Sequence, residues 1–283
     1  MKRKFLFVSI VLITAVFTTT LLISTLNTAK ASETTVLYDG ALGGTPDAQN
    51  LVFTALDPTN PPFFTAQATQ TYSPSLSATI LDSTPDINEY AGYAISTSMP
   101  ITLDRNTGFQ TNVQLRIASE THDSGNDRAG FSITFLAEDT KGIEVAFWED
   151  RIWVQEGGSP PNLFTPAEGV DFDTTANFIT YTLAIITDTY TLSANETQIL
   201  TGSIRDYSAW TPPPGVPDVY EQPNLLSLSD NTTSAQGETW LAYVDIATDF
   251  LDTSPELDKF IYLPVVINSN YRFSYCQYNP HLN

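Results

Sequence analysis

The chain has 283 residues with 32 acidic and only 12 basic ones, a formal net charge of −20. A surface with that balance repels phosphate backbones and anionic headgroups, so it argues against nucleic acid and acidic membranes as partners, while carboxylates suit hard cations such as calcium. Cys276 is the single cysteine, and CxxC, HExxH and His clusters are absent, which leaves an intrachain disulfide, zinc and redox chemistry without ligands.

The first predicted element is a leader. Lys2, Arg3 and Lys4 precede an apolar run from Phe5 to Ile23, and Ala29-Lys30-Ala31 offers the small-x-small pattern of a signal-peptidase site. Residues 1–31 therefore read as a signal peptide, placing the mature chain outside the cytoplasm as a secreted or cell-surface protein. Its loss leaves eight basic residues against all 32 acidic ones, a net charge of −24. No membrane-spanning segment remains.

Residues 33–250 carry no helical periodicity. They show short alternating runs rich in Thr, Tyr, Phe, Val and Ile, punctuated by Gly, Pro, Asn and Asp, which is the pattern of strands and turns. In chain order the expected strands are Thr35–Tyr38, Leu51–Ala55, Tyr90–Ser96, Ile101–Asp104, Phe109–Ala118, Gly130–Ala137, Gly142–Trp148, Arg151–Gln155, Phe178–Thr187, Thr189–Ala194, Thr197–Gly202, Asn224–Leu228 and Thr239–Ala247. So many short strands predict an all-β fold, an antiparallel two-sheet jelly-roll sandwich.

Two segments can be read in register. A two-residue turn at Glu149-Asp150 pairs Phe147 with Ile152, Ala146 with Trp153 and Val145 with Val154. One face of that hairpin is then Val145, Phe147, Ile152 and Val154, all apolar, and the other is Glu144, Trp148, Arg151, Trp153 and Gln155. Turns at Thr187-Asp188 and Asn195-Glu196 make Thr182–Gly202 a three-stranded meander, with Leu183, Leu192 and Ile199 aligned on one face. Asp206–Gln222, with its triple proline, reads as an ordered irregular loop. Residues 251–283 form an acidic linker and a tail with the apolar run Phe260–Ile267, too short to cross a membrane as a helix.

Three candidate sites follow. The Glu144, Trp148, Arg151, Trp153 and Gln155 face has what carbohydrate binding needs, flat rings for sugar faces and polar groups for hydroxyls; alternatively a loop covers it and the two Trp widen the core. Glu144 and Glu149 are weak candidates for a catalytic pair. Asp123, Asn126 and Asp127 in the His122–Asp127 loop could give oxygens to calcium, although such loops are often only turns. His122 reads as a loop residue, and no G-x-S-x-G supports a serine nucleophile.

The stretch TLAIITDTYTLSANETQIL beginning at Thr182 is similar to a hallmark of LamG-like and concanavalin A-like domains, with Asn195-Glu196 where those domains carry Asn-Gly. The order DG-x-LG-x-TPD (Asp39–Asp47), LDR-x-TGF (Leu103–Phe109), DRAGFSI (Asp127–Ile133), GIEVAFWEDRIWVQ (Gly142–Gln155), DTYTL (Asp188–Leu192) and DNTTSA (Asp230–Ala235) resembles bacterial choice-of-anchor surface proteins. IYLPVVI (Ile261–Ile267) resembles a C-terminal sorting signal, though the chain continues to Asn283. The resemblance implies the sandwich fold and an exported, cell-surface location; the residues themselves, with the Trp-bearing hairpin face, favour a non-catalytic module binding carbohydrate or another extracellular component. Laminarinase-type glycosidases of the same fold carry an ExDxxE strand; Glu144 and Glu149 have its outer spacing, and Ala146 stands where its Asp would be. A glycan-active enzyme and a purely structural or adhesive protein are the alternatives.

Overall fold

A computed structural model describes residues 32–60, 65–96, 99–123 and 127–249, together with the backbone of 265–266 and 273–274. The expected leader and nearly all of the linker and tail lie outside the described residues. Two short stretches of the tail, Val265–Val266 and Phe273–Ser274, pair antiparallel. No helix among the described residues is long and apolar enough to cross a membrane.

The span Ala31–Leu251 carries fifteen strands. They are β1 (Glu33–Asp39), β2 (Leu51–Leu56), β3 (Thr69–Ser73), β4 (Ala78–Asp82), β5 (Tyr90–Ile95), β6 (Phe109–His122), β7 (Ser132–Leu136), β8 (Gly142–Phe147), β9 (Arg151–Gln155), β10 (Pro166–Asp171), β11 (Ile179–Ile186), β12 (Thr189–Ala194), β13 (Thr197–Ser203), β14 (Leu225–Asp230) and β15 (Ala235–Thr248). One sheet runs β13-β12-β11-β6-β15-β4-β3, with β1 also paired to β15, and the other runs β10-β9-β8-β7-β14-β5-β2. Neighbours are antiparallel throughout, so the expected antiparallel two-sheet sandwich is the architecture.

The core lies where the two sheets face each other, and strict alternation builds it. In β6, Phe109, Val113, Leu115 and Ile117 are buried while Gln110, Asn112, Gln114 and Arg116 point away. Aromatic pairs bridge the layers: Phe109 meets Phe135 at 4.8 Å and Phe147 meets Tyr181 at 5.1 Å, both edge-on. Val145, Phe147, Ile152 and Val154 join this core, and the Glu149-Asp150 hairpin has the expected register.

The meander differs in one detail. Its turns fall as expected, and Asn195 and Glu196 both take positive φ, 45° and 67°, as a tight hairpin turn requires. A bulge after Leu192, however, sets Leu200 rather than Ile199 opposite it. Three strands escaped the sequence reading. Edge strand β10 opens on Pro166, which needs no ladder donor there; β3 (TQTYS) is too polar to show; β4 (ATILD) is short. Conversely, Ile101–Asp104 is not a strand. Leu103 is buried, but its N–H donates to Asn224 Oδ1 at 2.8 Å instead of to a ladder.

Candidate functional site

The hairpin face proposed for sugars is gathered as expected but is closed. Glu144, Trp153 and Gln155 have no solvent exposure, and Trp148 and Arg151 are half-buried. The Pro-rich loop Asp206–Gln222 straps across the outer face of the second sheet. Tyr207 Oη donates to the Gln155 carbonyl at 2.9 Å and accepts the Glu144 N–H at 3.0 Å, while Tyr220 Oη donates to Glu144 Oε2. Phe164 packs on both tyrosines, at 5.8 and 5.2 Å, and Trp210 meets Tyr220 edge-on. The closure, one of the two alternatives stated for this face, has a plain cause. Strap tyrosines satisfy polar groups that would otherwise face water, so a polar strand face becomes interior.

At the centre of that interior is Arg128. Its guanidinium lies 3.1 Å from Glu144 Oε1, donates to Asn231 Oδ1 at 2.8 Å and sits 4.2 Å above the Phe164 ring. Burial works to lower the Arg128 pKa, but Glu144 and then Tyr220 outweigh it and the net shift is upward. Burial also raises both strap tyrosines, helped by the Glu144 charge. Arg128 therefore keeps its charge, and Tyr207 and Tyr220 keep their protons.

The two candidate catalytic carboxylates, Glu144 and Glu149, stand in different surroundings. Glu149 stands exposed at the hairpin tip, where its carboxylate accepts the Glu120 N–H at 3.1 Å, whereas Glu144 is sealed in its ion pair. Asp123 is exposed, Asp127 gives its carbonyl to Gln155 Nε2 at 2.9 Å, and Asn126 lies outside the described residues. Among the described residues no three His, Cys, Asp or Glu are placed to hold a metal ion. His122 stacks on Trp148 at 4.0 Å with Nδ1 2.9 Å from Glu120 Oε2, a packing role.

An open site exists instead on the outer face of the first sheet. Strand β15 pairs with β6 on one side; on the other it pairs with β4 through Glu238–Leu241 and with β1 from Tyr243 onward. Ala242 is the extra residue of a bulge at the changeover. The chain leaving β1 and the chain entering β4 meet at this point, beside a groove of about 550 Å³. Asn112 and Gln114 of β6, Thr180 of β11 and the preceding Phe178 line one side. Tyr243 and Asp245 of β15, Asp39, Leu76 and Ser77 line the other.

The groove is held in shape by its own polar contacts. Asp245 accepts from the Asn112 N–H at 3.2 Å, from Asn112 Nδ2 at 2.9 Å and from Tyr243 Oη at 3.1 Å. Thr182 Oγ1 donates to Asn112 Oδ1 at 2.7 Å. Burial, then the Asp245 and Asp39 carboxylates, push the Tyr243 pKa up to about 12, so its hydroxyl keeps its proton. Asp39 caps the turn after β1 by accepting the Ala41 N–H at 2.9 Å.

Gly40 lets the two chain segments approach. A Cβ there would lie 2.0 Å from the Ser77 carbonyl oxygen and 3.0 Å from that of Ala242. Gly40→Ala should therefore push the Gly40 and Ser77 segments apart and cost about 1–3 kcal/mol, the usual size of an overpacking effect. A thermal melt checks this, and an unchanged melting temperature contradicts it.

No protein-family model matches the chain, and no curated protein matches it. The choice-of-anchor resemblance therefore rests on its motifs alone. Among solved structures, a carbohydrate esterase of Shiga toxin-encoding bacteriophage phi24B is 10% identical, with 77% of this chain and 100% of that one covered and a TM-score of 0.49. An endo-1,3-beta-glucanase from Streptomyces sioyaensis is 12% identical over 78% and 95%, TM-score 0.43. The VIP36 exoplasmic/lumenal domain is 9% identical over 75% and 91%, TM-score 0.42. Likeness at this level transfers no residue and no activity.

Proposed function

We propose that this chain is an exported, non-catalytic module that binds carbohydrate in the groove on the first sheet. Export is read from the basic, apolar and Ala-Lys-Ala order of the leader. The observation that carries the binding reading is the groove itself, where the Tyr243 and Phe178 rings stand beside the Asn112 and Gln114 amides. Rings offer flat apolar area to sugar C–H faces, and amides supply both donors and acceptors to hydroxyls. A wall already tied down by the Asp245 bonds loses little freedom on binding. The non-catalytic part is supported by Glu144, whose carboxylate is committed to Arg128 and Tyr220, and by Glu149, which stands at a solvent-exposed tip.

The test is a glycan array and a polysaccharide pull-down with the mature protein. Tyr243→Ala should weaken binding about tenfold or more, since aromatic anchors dominate such interfaces. Unchanged binding by that variant, or no glycan retained by the wild type, would overturn the proposal.

A further inference from the structure

The groove is lined by charge of one sign. Its titratable groups are Asp39, Asp245 and Tyr243, and no Lys, Arg or His lines it. Asp245 is only 6% exposed, and among the described residues the donors that reach it, the Asn112 N–H, Asn112 Nδ2 and Tyr243 Oη, are all neutral. These bonds hold the carboxylate without cancelling its charge. They use three of roughly four acceptor positions on a carboxylate. The next row of the same face holds Arg116, but that guanidinium stacks 4.6 Å from the Trp240 ring, donates to the Thr175 carbonyl and feels Asp173. It is spent outside the groove.

A carboxylate that is nearly buried and lacks a counter-charge gains most from a cationic hydrogen-bond donor. Resting on the glycan-binding reading, we infer that the groove prefers sugars bearing a free amine, with the ligand ammonium set against Asp245 and Asp39 while its ring faces Tyr243 and Phe178. The same two carboxylates repel uronate and sulfate groups, which disfavours acidic glycans.

The inference is tested by calorimetric titration of the mature protein with a glucosamine oligomer, its N-acetylated form and a glucose oligomer of equal length. At low salt the amine-bearing oligomer should bind about tenfold more tightly than the other two, the size of one charge-assisted hydrogen bond. The margin should shrink at high salt and in Asp39→Asn, which keeps the turn cap, and in Asp245→Asn. Tyr243→Ala separates this from general attraction to an acidic surface, because it leaves every charge in place. Undiminished binding of the amine-bearing oligomer by Tyr243→Ala, or an amine preference that persists in both Asp variants, overturns the inference. Equal binding of all three oligomers to the wild type overturns it while leaving the glycan reading intact; binding of none, with a blank array, removes both.

Discussion

Replacing Arg128 by Ala should lower the free energy of unfolding by about 3–5 kcal/mol, because it strands the Glu144 carboxylate without a counter-charge in a site closed to solvent. Glu144 has no solvent exposure, and Arg128 supplies its only cation among the described contacts. The same substitution removes the bond to Asn231 and the cation over Phe164, so the strap loses part of its seat. A paired replacement, Arg128→Met with Glu144→Leu, should recover most of the loss, since apolar groups of similar volume need no counter-charge. Denaturant unfolding of the wild type, the single variant and the pair decides it. A loss below about 1 kcal/mol for Arg128→Ala would mean that the ion pair is solvated and that the strap is not closed.

The second large effect belongs to Trp153→Ala, with an expected cost of about 3–5 kcal/mol and no change in glycan affinity per folded molecule. Trp153 is among the largest fully buried side chains and packs against Ala129, Ala146 and Trp148. Its indole N–H has no hydrogen-bond partner among the described residues, so the loss is one of packing and a cavity rather than of a polar contact. Stability and binding should therefore separate in this variant: a lower midpoint in denaturant, and an unaltered dissociation constant at a temperature where the protein remains folded. A binding loss at Trp153 would return the function to the second sheet.

These two residues also show where sequence reasoning succeeds and where it stops. The Gly142–Gln155 hairpin was legible because turn length and a two-residue period set both faces at once, and a slip by one residue would have mixed apolar with charged positions. Which face meets solvent was not legible. It depends on Tyr207 and Tyr220, which reach partners 52 and 76 residues away in the chain, and a tyrosine in a Pro-rich segment does not announce which carbonyl or carboxylate it will reach. The groove was harder still. It requires β15 to exchange β4 for β1 at Ala242, and β4 itself was not foreseen. One signal was present: in a chain of net charge −20, the outward positions Gln110, Asn112 and Gln114 carry three successive amides where charges would have sufficed for solubility. The Leu200 register was hidden for a related reason, since a bulge leaves no trace in apolar alternation.

The central claim is that the groove on the first sheet, and not the hairpin face of the second, receives the ligand. Amide chemical-shift mapping of the isotope-labelled mature protein tests it directly, with a glycan taken from the array. The expected result is a set of shifts at Asn112, Gln114, Thr180, Tyr243 and Asp245 that saturates with ligand, while Glu144, Trp153 and Gln155 stay in place. Shifts centred on Glu144, Trp153 and Gln155, with the groove residues unmoved, would contradict it.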